Sequence, residues 1–134
     1  MTYFADGSPY SYLKEVNDPG SVNVGWLDAA FPFATGPVAT AFVDRLRKIC
    51  QTGVNRTRGL HRCNLCGLEP TVGMPPPIAV QSSAGPFIVG GAEIRVTGRD
   101  GVRYAAPDMI IHYVETHGYR PPDYFVEAVL EARD

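Results

Sequence analysis

A chain of 134 residues, 45% of them apolar and 19% charged, can bury one hydrophobic core but not two. Six Phe, seven Tyr and a single Trp supply too much apolar surface for a disordered chain, and a net charge of −2 excludes a strongly basic polyanion binder. Three cysteines, an odd number, argue against a secreted disulfide framework.

The opening residues Met1 to Gly7 carry neither a basic region nor a continuous apolar run, so no signal peptide is expected. No stretch approaches the length of a membrane span. These features together predict a cytoplasmic protein without membrane association. Twelve prolines and fourteen glycines predict a loop-rich α+β domain spanning residues 1–134.

Residues 1–36 are aromatic and rich in turns (Ser8-Pro9-Tyr10, Asp18-Pro19-Gly20, Phe31-Pro32-Phe33) and are expected to wrap the core with their rings inward. Within them only Asn23 to Leu27 reads as a strand, weakened by Gly25. A helix is predicted over 37–51, capped by Thr35 or Gly36 and stopped by Gly53. Its apolar stripe is Val38, Phe42, Leu46 and Ile49. Cys50 lies beside that stripe and is expected to act as a small buried hydrophobe.

A connector over 52–60 leads to His61-Arg62-Cys63-Asn64-Leu65-Cys66-Gly67, and a proline-rich loop follows. Phe87-Ile88-Val89 and Ala92 to Thr97 read as strands, with Glu93 and Arg95 opposite in character to Ile94 and Val96. Gly98-Arg99-Asp100-Gly101 is a hairpin turn that returns through Val102 to Ala105. A second helix is predicted from Pro107-Asp108 to about His117, where Gly118 stops it. A third follows from Pro121-Pro122 over 121–132.

The strongest chemical signal is Cys63-x-x-Cys66. Two intervening residues let backbone amides fold into a knuckle that brings both sulfurs to one ion, and Gly67 suits the tight turn. A thioredoxin-type redox pair has the same spacing, but it needs a strand before it and a helix after it. Here a basic connector precedes the pair and a proline-rich loop follows. The second half of the signal is His112-Tyr-Val-Glu-Thr-His117. Five residue steps on a regular helix leave those imidazoles about 140° apart, so facing one ion requires the helix to tighten or end between them.

The order of knuckle, hairpin and helix with two histidines near its end resembles the Cys2His2 zinc finger. The resemblance covers residues 61–117 and implies zinc held by Cys63, Cys66, His112 and His117. It departs from the finger in one respect: 45 residues separate Cys66 from His112, against roughly a dozen in an ordinary finger. The Tyr104-Ala-Ala-Pro-Asp108 stretch, the His112 to His117 ending and the Pro121-Pro-x-x-Phe125 tail are also similar to a family of small uncharacterised bacterial proteins. That likeness implies cysteine-and-histidine metal binding and does not supply an activity.

Other readings stay open at this level. His61 can replace one helix histidine. Glu115 or Asp108 can be imagined beside an open coordination position in a small zinc hydrolase or accessory enzyme, although Asp108 is expected to serve the helix start and Glu115 to point to solvent. A closed four-ligand site would instead be structural, leaving a non-enzymatic interaction module. The segment Asp44 to Arg62 carries a net +5 and Asp108 to Asp134 a net −4. Arg45, Lys48, Arg56, Arg58 and Arg62 can therefore meet a protein partner or, less favourably, nucleic acid, or pair with the acidic C-terminal helices.

Overall fold

The computed structural model describes residues 3–10, 20–56, 63–66 and 78–132. In chain order these form β1 (Val22–Asn23), α1 (Thr40–Cys50), a 3-10 turn (Asn64–Cys66), β2 (Ile78–Val80), β3 (Phe87–Val89), β4 (Glu93–Thr97), β5 (Arg103–Pro107), α2 (Ile110–His117) and α3 (Asp123–Glu131). The architecture is α+β.

Strands β4 and β5 form the expected antiparallel hairpin, with Arg95 opposite Ala105. Its turn closes through a Gly98 carbonyl that accepts the Gly101 amide at 3.0 Å, and Gly101 takes a φ of 86° that suits glycine. Strand β1 adds parallel to the outer side of β5, giving the order β1-β5-β4. Phe87–Val89 does not join this sheet. It pairs antiparallel with Ile78–Val80, a strand hidden in the sequence behind the proline-rich loop because three residues carry too little periodicity to read.

Helix α1 packs against both α2 and α3, and α1 and α3 also meet β4. Phe42, Leu46, Ile94, Met109, Ile110, Ile111, Phe125 and Val129 are buried between them. The Phe42 and Phe125 rings meet edge-on at 6.4 Å, a favoured aromatic geometry.

Helix α1 starts three residues later than Pro37, with Ala39 at its N-cap and no side-chain cap. Thr35 and Gly36 are spent elsewhere. Thr35 bridges Tyr119, the Gly36 amide donates to the Gly118 carbonyl, and the Arg120 amide donates to the Ala34 carbonyl. Backbone committed to that extended pairing cannot also open a helix. Cys50, 1% exposed, belongs to the buried stripe.

The N-terminal segment covers the other face of the main sheet, with its rings turned both ways. Trp26 is 1% exposed and its indole N–H donates to the Ala105 carbonyl at 3.0 Å, while Phe31 is exposed and stacks on Tyr3. This cover buries Glu93 on the polar side of β4 that the alternating pattern set opposite Ile94 and Val96. Glu93 is 3% exposed, pairs with Arg95 at 2.9 Å and accepts the Tyr10 hydroxyl at 3.2 Å.

Candidate metal centre

Two elements distant in sequence meet at one edge of the core. Cys63 stands just before the 3-10 turn and Cys66 ends it, with the backbone amides of Leu65 and Cys66 bonded to the Cys63 sulfur, which is the amide-to-sulfur knuckle expected of a Cys-x-x-Cys pair. Helix α2 carries His112 and His117.

Helix α2 stays α-helical through His117 and stops at Gly118, the predicted stop. Gly118, in the left-handed region at φ 68°, sends its amide to the Tyr113 carbonyl, five residues back. The Tyr119 amide reaches the same carbonyl at 3.2 Å. Bonds from a left-handed glycine and the residue after it back to the last helical turn cap the C-terminus of the helix. The two imidazole rings lie 5.0 Å apart, edge to face.

Cys63 Sγ lies 3.4 Å from His117 Nε2, and Cys66 Sγ lies 3.4 Å from His112 Nε2 and 3.5 Å from His117 Nε2. All four donor atoms fall within 4.8 Å of one another, an arrangement that could hold a metal ion. Cys63 and His112 are buried, while Cys66 and His117 are half-buried. Burial pushes the Cys63 thiol up to about 11 and pulls His112 down, helped by the neighbouring His117; burial also lowers His117. A Cys63 thiol disfavoured as an anion beside imidazoles disfavoured as cations forms part of a donor set that a bound cation would compensate. The fully buried Tyr113 hydroxyl has no hydrogen-bond partner among the described residues, and it lies in the field of Cys63 and Cys66.

The remaining acids and bases fall outside this cluster. Glu115 accepts a 2.7 Å ion pair from Arg47, which also binds Asp44 at 3.0 Å. Asp108 does not cap α2. It is 1% exposed and accepts the Gly90 amide at 2.8 Å, while its own amide donates to the Ala92 carbonyl. It thereby locks the β3–β4 turn against the start of α2, and burial raises its carboxyl to about 6. The helix α2 N-cap is Met109, with no side-chain bond.

Of the basic candidates, Arg45 is half-buried, and Lys48 and Arg56 are exposed. Arg58, Arg62 and His61 lie outside the described residues, as does the proline-rich loop. A cleft of about 420 Å³ opens away from the four donors, between the hairpin turn and α3, and is lined by Asp100, Tyr104, Tyr124 and Glu127 among others. Sequence reading missed it, because it joins a turn to a helix more than twenty positions later. No helix among the described residues is long and apolar enough to cross a membrane.

Comparison with known proteins returns no matching curated protein and no matching solved structure. One family does match, over residues 2–130, and the chain belongs to it: DUF7919, a domain of unknown function.

Proposed function

We propose that this chain is a small cytoplasmic zinc-binding protein in which Cys63, Cys66, His112 and His117 hold one structural zinc ion, and that it acts without catalysis as an interaction module for a protein partner. The observation that carries the reading is a distance. Zinc–sulfur bonds near 2.3 Å and zinc–nitrogen bonds of roughly 2.0–2.1 Å at a tetrahedral angle separate S from N by about 3.6 Å. Three of the four sulfur–nitrogen distances here are 3.4, 3.4 and 3.5 Å, and all four donors fall within 4.8 Å of one another.

Four protein donors leave no position for water or substrate, so such an ion contributes folding free energy in place of Lewis-acid chemistry. It would tie the Cys63–Cys66 turn to α2 across the intervening β2, β3, β4 and β5. The hydrolase alternative is less well supported, since Glu115 is engaged by Arg47 and Asp108 by Gly90, and neither carboxylate joins the cluster.

The likeness to a Cys2His2 finger is supported by the order of knuckle, hairpin and helix. It differs in the interposed β2–β3 pair, which belongs to a separate sheet. A protein partner is favoured over nucleic acid because the chain is acidic overall and Arg47, inside the basic segment, is already occupied by two carboxylates. Arg45, Lys48, Arg56, Arg58 and Arg62 remain the surface to test for either partner.

The deciding experiment measures metal content and X-ray absorption on protein purified without chelator. One zinc per chain with two sulfur and two nitrogen neighbours is expected, and Cys63→Ser or His117→Ala should lose the metal. An oxygen neighbour that exchanges with solvent, or a metal-free folded parent, would exclude the structural site. Nucleic-acid binding through the basic segment should weaken steeply with salt.

A further inference from the structure

The two imidazoles differ in what holds their outer nitrogen. The nitrogen that faces the sulfurs is Nε2 in both rings. On the far side of His112, Nδ1 lies 3.3 Å from the Thr116 hydroxyl oxygen, whereas among the described residues nothing bonds His117 Nδ1. Thr116 stands one helical turn beyond His112, so the two side chains share a face of α2.

We propose that Thr116 is the positioning residue of the metal centre, its hydroxyl accepting the His112 Nδ1–H and thereby fixing the tautomer and ring orientation that present Nε2 to the ion. The inference rests on the zinc reading and deepens it.

The chemistry follows from the imidazole itself. A neutral ring carries one N–H and one lone pair, and only the nitrogen with the lone pair can ligate. An acceptor at Nδ1 stabilises the tautomer whose lone pair is on Nε2. It also raises the basicity of that nitrogen and resists ring rotation, as outer partners of ligating histidines do elsewhere. His112 is the buried imidazole, 8% exposed. Water is largely kept from it, so a protein hydroxyl must supply what solvent supplies to the more open His117. Glu115 and Thr116 divide the end of α2 between them: Glu115 fixes the helix to α1 through Arg47, and Thr116 fixes a ligand.

The test compares Thr116→Val and Thr116→Ser in the full chain. Thr116 is exposed, and valine keeps its shape and β-branch while removing the acceptor, so neither substitution opens the core. Zinc affinity is read by competition with a chromophoric chelator, and the His112 tautomer by nitrogen-correlated NMR of the zinc-loaded protein. The valine variant should bind zinc roughly ten- to a hundredfold more weakly, with a faster-exchanging or unobservable His112 Nδ1 proton. The serine variant should return to within about threefold of the parent.

Equal affinity in the parent and valine proteins overturns the positioning role, and so does a serine variant as weak as valine. A parent that takes up no zinc overturns the metal reading itself and this inference with it. Zinc uptake by the parent separates the two failures.

Discussion

Replacing Asp108 with Asn probes the joint between the hairpin and the metal-bearing helix, and its consequence is a change of slope with pH. Asp108 is buried, and its carboxyl titrates near 6 instead of at its ordinary 3.8, chiefly because burial penalises the charged form. Between those two values the folded protein keeps a proton that the unfolded chain has released. Unfolding therefore releases a proton in this window, and stability falls as pH rises through it. Above about pH 6 the whole cost is present, on the order of 3 kcal/mol.

Asparagine can still accept the Gly90 amide but has no proton to lose. Denaturant titrations of parent and Asp108→Asn protein from about pH 4 to about pH 8 should therefore show the parent losing about 3 kcal/mol relative to the variant. The change should fall between about pH 4 and pH 6. Metal ligands titrate alike in both proteins and cancel in the difference. Stability curves that stay parallel to within about 0.5 kcal/mol would refute the claim that this carboxylate is held at a cost.

Two glycine substitutions should separate backbone strain from crowding. A Cβ on Gly25, at φ 81°, would stand 2.6 Å from the Ile110 Cδ1, so Gly25→Ala should cost about 2–5 kcal/mol by denaturation. Gly118, at φ 68°, has open space around it, so Gly118→Ala should cost only the left-handed backbone term of about 1–2 kcal/mol. It should also weaken zinc binding by disturbing the five-residue bond; equal costs at the two sites would contradict both arguments. In chelator-treated protein under native conditions, mass spectrometry after iodoacetamide should find Cys66 modified first. Cys50, 1% exposed and with its thiol pushed well up by burial, should react only once denaturant is added; early Cys50 labelling would place it outside the core.

The residues of the candidate site were legible in the chain because ligand chemistry is written in residue type and spacing. Cys-x-x-Cys forms a knuckle from its own backbone, and a histidine pair followed by Gly118 marks a helix end. The hairpin was legible for the same local reason, since Gly98 to Gly101 joins two segments of alternating character. What local pattern could not settle was how His112 and His117, about 140° apart on a regular helix, would face one point. The structure brings the two rings to 5.0 Å, edge to face, at the end of α2 that Gly118 closes.

Contacts between distant segments decided the rest. Glu93 and Arg95 read only as the polar side of a strand, and Tyr10, 83 residues before Glu93, closes over them. Asp108 read as a helix cap until the Gly90 amide claimed its side chain. Thr35 and Gly36 read as caps until residues 118–120 took their backbone. In each case the polar group had several partners within reach of its side chain or amide, and only the folded packing determined which of them excluded water from it.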